Sequence, residues 1–378
     1  MTYLDYAATS PLREEVLEIV THHLGETFGN PSSTYGPGKS AKLALLKGRR
    51  EFADTFDVDV NDIYFTSGAT EANNWAIQSQ AYQARRLGKG NHIVATAIEH
   101  PSVAKVLAHL EEDSFEVTYL NPNQEGEILP EDFLAASRAT TIGWVAMAVN
   151  NELGTILPVF DLGVLAEQRG YWFHVDTVQA VGHLNWDFAS LKATSFVGSG
   201  HKFYAPKGVG FLIYRPFDSK MTLLPLLHGG GQERHKRSGT ENVPYIIGMT
   251  KALVLMQEEL DELADRHKVL KDYLLKELDK TGLHYELNGS KGDQVDYITS
   301  IWIKGIPASL ILIQMDMAGI YVSAGSACSA GSVQPSAVLK AYYPNQSDRW
   351  AESIRISFGR TTQKEDIDAF IKVLSQIK

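Results

Sequence analysis

Cysteine is almost absent, a single thiol at Cys328 in 378 residues. One thiol cannot close an intrachain disulfide, so a small disulfide scaffold is excluded and a reducing, cytoplasmic setting is expected. No uncharged apolar stretch approaches the roughly 18 residues that a membrane span needs. The strongest, Ile142 to Val149, has only the length of a strand. The opening Met1 to Pro11 carries Asp5 and lacks the basic-then-apolar order of a secretion signal. Positive charge is in short supply too: 35 Lys and Arg stand against 45 Asp and Glu, a net charge of -10, which is the wrong sign for coating phosphate backbones. Direct nucleic-acid binding is not expected. Nor is a metal site, because no cysteine pair exists and the adjacent His22 and His23 should point their rings apart on a helix, unlike ligands four residues apart. Internal repeats, low-complexity tracts and long Pro/Ser linkers are also lacking, and the 44% hydrophobic content excludes a disordered chain.

What is present is an alternation of strand-like and helix-like segments. Strands are expected at Asp62–Thr66, His92–Ile98, Phe115–Leu120, Gly143–Val149, Tyr171–Asp176, Ala193–Gly198 and Gly208–Tyr214, several apolar on both faces as buried parallel strands are. Between them lie helical stretches such as Ala69–Leu87, free of Gly and Pro, and Asp161–Arg169, closed by Gly170. The alternation predicts an α/β fold, helices covering both faces of a mostly parallel sheet. A long amphipathic segment then carries Met256, Leu260, Leu263, Leu270, Leu274 and Leu278, ending at Thr281–Gly282, and reads as a helix bridging two domains. The expected division is a large α/β domain over residues 14–258 and a smaller α+β domain formed by 1–13 with 259–378.

Three places carry chemistry. Ser67-Gly68-Ala69-Thr70-Glu71 follows a strand and opens a helix, where free N–H groups beside a hydroxyl and a glycine suit a phosphate; taken alone, an ordinary helix cap is the commoner reason for such a run. Asp176 emerges at the carboxyl end of Tyr171–Val175, where open α/β sheets bind ligands, and a protonated heteroaromatic nitrogen would serve it as a partner, with the Gln179 amide reaching a ring substituent. A capping Asp is the alternative. Lys202, in Ser199-Gly200-His201-Lys202, also follows a strand, and an amine confined there suits Schiff-base chemistry, although most lysines are simply solvated. The three recur in the order a pyridoxal phosphate site requires.

These residues carry a resemblance. Tyr3-Leu4-Asp5-Tyr6-Ala7-Ala8-Thr9, Gly29-Asn30-Pro31-Ser32-Ser33, Thr66 to Glu71, Glu99-His100, Asn150-Asn151-Glu152-Leu153-Gly154, His174-Val175-Asp176, Ser199 to Lys202, Arg237-Ser238-Gly239-Thr240-Glu241-Asn242 and Ser323 to Ser332 follow one another as in class V, fold-type I pyridoxal phosphate enzymes. More narrowly, the chain resembles the NifS/IscS-type cysteine desulfurases over essentially its whole length. The resemblance implies that fold, with a seven-stranded large-domain sheet, and pyridoxal 5'-phosphate as cofactor. It implies that Lys202 holds the cofactor as a Schiff base, Asp176 pairs with the pyridine nitrogen and Gln179 bonds the phenolic oxygen. Ala69, Thr70, Ser199 and His201 would grip the phosphate. Thr240 would do so from the neighbouring subunit, which implies a homodimer. His100 would lie flat over the pyridine ring as a catalytic group. Asn150, also a cofactor contact, and Arg355 would orient the substrate near its carboxylate.

Cys328 sits in Ser323-Ala324-Gly325-Ser326-Ala327-Cys328-Ser329-Ala330-Gly331-Ser332, ten small residues that bury little, so a deliverable thiol is expected. The implied reaction takes L-cysteine to alanine, with Lys202 as base and Cys328 receiving the sulfur as a persulfide that acceptor proteins collect for iron–sulfur cluster assembly or tRNA and cofactor thiolation. Rival readings are a selenocysteine lyase or an aminotransferase on the same cofactor, or a non-catalytic sulfur carrier.

Overall fold

The computed structural model describes residues 1–325 and 335–377. Cys328 and the thiol delivery expected of it lie outside the described residues. Seven strands build the main sheet: β1 (Ile63–Thr66), β2 (His92–Thr96), β3 (Glu116–Leu120), β4 (Thr141–Met147), β5 (Trp172–Asp176), β6 (Ser195–Ser199) and β7 (Gly210–Tyr214). Their order is β1-β7-β6-β5-β4-β2-β3. Only β7 is reversed, pairing antiparallel with both β1 and β6, while the remaining pairs are parallel. Six strands therefore end at one edge of the sheet, and their following loops collect there.

All the expected strands exist, with shifted ends. The first begins at Ile63 because Val60–Asp62 forms a 3-10 turn, with the Asp59 carboxylate accepting from the Asn61 N–H. Gly143–Val149 is displaced to Thr141–Met147, since Ala148 and Leu157 bond to each other outside the strand ladder. Residues of six strands are buried on both faces, and β3, at the sheet edge, is the partly exposed one.

Alternation explains the two covering layers. Phe196 and Phe211 point to one face, where they meet Phe52 and Phe56 of helix Gly36–Phe56. Their neighbours Val197 and Leu212 point to the other and meet Trp75 and Ala76 of α1 (Ala69–Arg86). Helix Pro101–Glu112 joins α1 on that second face through Val103, Val106, Leu107 and Leu110 against Ile93, Ala95 and Val145. Helix Val159–Arg169 ends at Gly170, whose φ of 70° is the left-handed conformation such a cap requires.

The long amphipathic segment is the 39-residue helix α2 (Val243–Thr281), which starts well before Met256 with Asn242 capping the Tyr245 N–H. Its first half, from Val243 to Leu263, belongs to the large core; Leu270, Leu274 and Leu278 belong to a second core with Leu4, Ile301, Ile356 and Phe370. A small antiparallel sheet of β8 (Tyr285–Leu287), β9 (Ile298–Ile303) and β10 (Ser353–Ser357), ordered β10-β9-β8, backs that second core. The chain start joins it, with Thr2–Tyr3 pairing in parallel with Ile320–Tyr321. No helix among the described residues is long and apolar enough to cross a membrane. His22 and His23 correct one expectation: their rings meet edge to face with centroids 5.1 Å apart, because adjacent positions on a helix still leave two side chains of this reach able to turn toward each other. Among the described residues, no group of His, Cys, Asp and Glu could hold a metal ion.

Candidate active site

A cavity of about 510 Å³ opens at the carboxyl edge of the sheet, a size suited to a small-molecule ligand. Ser67 to Glu71 line it after β1, His100 and Ser102 after β2, Met147 at the end of β4 with Asn151 beyond it, Asp176 at the end of β5 with Gln179 beyond it, and Ser199 at the end of β6 followed by His201 and Lys202. Ala8 and Thr9 of the N-terminal segment close one side.

The phosphate-like end is built from backbone. α1 opens at Gly68 with no side-chain cap, so its first N–H groups face the cavity side without the usual partner. Gly68 has φ 152°, a backbone conformation that a side chain would strain, while a Cβ there would meet the Ser199 hydroxyl only at an ordinary contact distance of 3.6 Å. Glu71, though it lines the cavity, has its charge occupied: Arg237 donates to it at 2.7 Å and Ser67 donates to it at 2.6 Å. Burial alone would raise its carboxyl, but these donors hold it below the usual range. His201 is lowered to about 4, by burial first and then by the charges of Lys202 and Lys207, so it is neutral at pH 7.

Lys202 lies in the 3-10 turn Gly200–Lys202 and donates from Nζ to the carbonyls of Ala7 (2.5 Å) and Ala8 (2.9 Å). Gln179 is tied to the same segment: its Nε2 donates to the Ala7 carbonyl, and Tyr297 donates to its Oε1 at 3.1 Å. Asp176 is buried, and each carboxylate oxygen accepts one bond, Oδ1 from the Val178 N–H at 3.0 Å and Oδ2 from Asn73 at 2.9 Å. His100 accepts at Nδ1 from the Ser102 N–H, and its pKa is lowered by burial first, against which the Asp176 charge raises it and the smaller effect of Lys202 lowers it.

The remaining expected residues stand differently. Asn150 is fully buried and does not line the cavity: it donates to the Ile98 carbonyl and accepts from the Glu152 and Leu153 N–H groups, fixing the turn after β4 and leaving Asn151 on the wall. Arg355, on β10, is also buried outside the cavity, donating to Asp5 and to the Asn151 carbonyl, each at 2.6 Å. Thr240 is exposed and outside the cavity of its own chain. Residues not singled out by sequence reasoning are Asn73, Ser102, Thr9, Asn151 and Lys207. Only Asn73 had an available signal, standing one helical turn after Thr70 on the helix that opens at the cradle.

Glu99, beside His100, accepts at Oε1 from the Thr96 hydroxyl and the Met147 N–H, while its buried Oε2 has no partner. Burial raises its carboxyl to about 8, and the nearby Asp176 charge adds to the rise. The folded chain therefore holds a proton there that the unfolded chain releases above about pH 4.5. Stability should consequently fall as pH rises toward about 8, by up to about 1.4 kcal/mol per pH unit across the window. Glu99→Gln, which keeps a neutral acceptor, is expected to flatten this alkaline slope in thermal melts; an unchanged slope would show that Glu99 is ionised. The buried histidines act on the acid side: His174 is lowered to about 3 and His183 to about 4 by burial, so both resist charging and stability is lost as pH falls below about 6.5.

An amine on a turn, a buried carboxylate and an uncapped helix start, converging at the carboxyl edge of a mostly parallel sheet, define an α/β enzyme built for a phosphorylated aromatic aldehyde cofactor. A family model described as aminotransferase class-V matches residues 2–370, and the chain belongs to that family. It is 40% identical to a protein named cysteine desulfurase IscS from Methanosarcina thermophila, over 99% of this chain and 91% of that one. Among solved structures, a NifS-like protein superposes with a TM-score of 0.91 at 31% identity, covering 99% of this chain and 98% of the other. A structure described as SspA in complex with cysteine superposes with a TM-score of 0.79 at 31% identity, covering 95% of this chain and 99% of that one. The family's cofactor is pyridoxal 5'-phosphate, and the residues lining the cavity fit it.

Proposed function

We propose that the chain is a cysteine desulfurase that removes sulfur from L-cysteine, releases L-alanine and carries the sulfur as a persulfide on Cys328. The observation that carries this reading is the placement of the Lys202 amine in one cavity with Asp176 and the open start of α1. Lys202 would hold pyridoxal 5'-phosphate, Asp176 would face its ring nitrogen, and the N–H groups at Ala69 and Thr70 with Ser199 and His201 would take the phosphate. When bound, the cofactor supplies an electron sink for negative charge at the substrate's α-carbon. Lys202 is the base for the α-proton and delivers a proton back to the product. Asp176 keeps a proton on the ring nitrogen, and its two hydrogen-bonded oxygens fix where that charge stands. His100, its pKa lowered by burial, would cover the ring as a neutral imidazole.

The sulfur step balances without an added oxidant. The Cys328 thiolate attacks the substrate sulfur, the substrate's C–S bond breaks as the new S–S bond forms, and the carbon that loses sulfur gains a proton to become the methyl group of alanine. A second thiol on an acceptor protein then takes the outer sulfur. Acceptors for iron–sulfur assembly or for tRNA thiolation both fit this chemistry; the IscS name of the relative favours the first. The bound cysteine of the SspA structure supports the substrate.

A homodimer belongs to the same reading, Thr240 reaching the neighbouring subunit's phosphate, and is supported by its exposure and by exposed Leu24, Phe28 and Leu43. The two-domain division at residues 14–258 and 1–13 with 259–378 is supported by the second core at the far end of α2, drawn wholly from 1–13 and 259–378, although Tyr6, Leu263, Tyr297 and Val338 of those segments pack into the large core. The single cysteine supports a cytoplasmic location. The test is product analysis: the cofactor-loaded chain given L-cysteine should form one alanine for each sulfur delivered to an acceptor thiol. A keto acid in place of alanine would mean aminotransfer.

A further inference from the structure

α1 does more than open the cradle. One turn in from its start, the fully buried Asn73 meets three partners. It donates one amide hydrogen to Asp176 Oδ2 at 2.9 Å and the other to the Ser102 hydroxyl at 2.8 Å. Its Oδ1 lies 2.9 Å from His174 Nε2.

The chemistry of the partners sets the direction of every bond. An amide oxygen only accepts, so His174 carries its proton on Nε2, and its Nδ1, 2.8 Å from Ser195 Oγ, accepts. Ser195 in turn accepts from Gln80, two turns further along α1 and donating at 2.9 Å. Burial keeps His174 neutral, so this orientation holds at physiological pH. On the cavity side, Ser102 receives Asn73's hydrogen and is left to give its own to His100 Nδ1, 2.8 Å away. The Ser102 N–H reaches the same nitrogen at 3.1 Å. His100 thus accepts twice at Nδ1 and its proton belongs on Nε2.

His174 and Asp176 are two apart on β5 and share a face, which is how one amide on the overlying helix reaches both. Aspartate at position 73 could not do this, having no hydrogen to give. We propose that Asn73 is a positioning residue that orients the Asp176 carboxylate and, by directing the Ser102 hydroxyl, supplies the second donor to His100 Nδ1 beside the Ser102 N–H, coupling the carboxylate that would face the ring nitrogen to the imidazole that would cover the ring. The proposal rests on the cofactor reading above for what those two groups do.

The test uses the full chain, with Asn73→Asp and Ser102→Ala, read by pyridoxal 5'-phosphate titration and by the protonation of His100 in nitrogen-labelled cofactor-free protein. The charged and titratable groups facing His100 are Asp176 from β5, and Lys202 and His201 from the turn after β6. Asn73→Asp keeps the His174 bond but sets a second carboxylate against Asp176 and turns the Ser102 hydroxyl away from His100. Cofactor dissociation should rise about 10- to 100-fold, the worth of a hydrogen bond to a charged group, and His100 should titrate at higher pH. Ser102→Ala cuts only the second branch: His100 should again titrate higher, while cofactor affinity stays within about threefold. Ser102→Thr should restore the parent titration.

An unchanged His100 titration in Ser102→Ala overturns the proposal, as does a loss of cofactor affinity there equal to that of Asn73→Asp. If Asn73→Asp does not fold, the two Ser102 variants decide. A parent chain that binds no pyridoxal phosphate sinks the cofactor reading, whereas His100 titration in the cofactor-free chain judges the network by itself.

Discussion

Lys202→Ala is expected to leave a folded chain whose alanine production from cysteine falls by about four orders of magnitude or more, since proton transfer alone accounts for about 10²- to 10⁴-fold and the covalent anchor is lost with it. The side chain carries little of the fold. Its turn, Gly200–Lys202, is held by backbone bonds from Gly200 to Val209 and from Phe203 and Ala205 to Gly200, none of which involves Nζ. Loss of Nζ does release the carbonyls of Ala7 and Ala8. Ala7 keeps the Gln179 amide as a donor, and its N–H still reaches the Ser357 hydroxyl at 2.9 Å, so the N-terminal segment stays seated. The thermal midpoint should move by only a few degrees, the scale of about 1 kcal/mol in a chain of this size. The variant should lose the visible absorbance of a lysine-bound cofactor while retaining some affinity for pyridoxal phosphate through the cradle at α1. Turnover within about tenfold of the parent would remove Lys202 from the chemistry.

How much of this was legible in the sequence differs by element. The doubly apolar runs around Val94, Val145 and Val175 announced buried parallel strands, because only a sheet covered on both faces accepts them. The reversal of β7 had no sequence signal: Gly210–Tyr214 is as apolar as its parallel neighbours, and strand direction is set by the short return from Lys202 rather than by residue type. At the site, Asp176 and Lys202 were legible because one ends a strand and the other lies in the turn directly after one, on the edge where loops collect. Asn150 shows what sequence alone leaves out: its polar side chain reads as a ligand contact, and its part in holding the turn Asn150–Leu153 appears only in the fold. Asn73 was only partly legible: its spacing from Thr70 puts it on the helix that opens at the cradle, but asparagine is usually exposed, and nothing local shows that a histidine and a carboxylate from β5 meet it. Arg355 lies between these cases, a basic residue on β10 whose pairing with Asp5 joins segments 350 positions apart.

The second large effect falls on the thiol. Cys328→Ser should abolish delivery of sulfur to any acceptor, and loading with L-cysteine should leave the variant's mass unchanged where the parent gains one sulfur atom on Cys328. The argument is chemical. A thiolate is a strong nucleophile toward sulfur near neutral pH, whereas a serine hydroxyl remains protonated and has no sulfur lone pair with which to form the S–S bond. The chain holds no other cysteine, so no second thiol can substitute within it. Alanine formation should fall too, because breaking the substrate's C–S bond needs a group to receive the sulfur. Cofactor binding should be untouched, since Lys202, Asp176 and the start of α1 are unchanged, and visible absorbance on adding cysteine should still respond. That combination separates the desulfurase from its rivals: an aminotransferase, or a lyase that expels its leaving group unaided, would turn over at the parent rate without Cys328. Sulfide released from cysteine at that undiminished rate, with no reductant present, would place the sulfur's exit elsewhere and end the persulfide route.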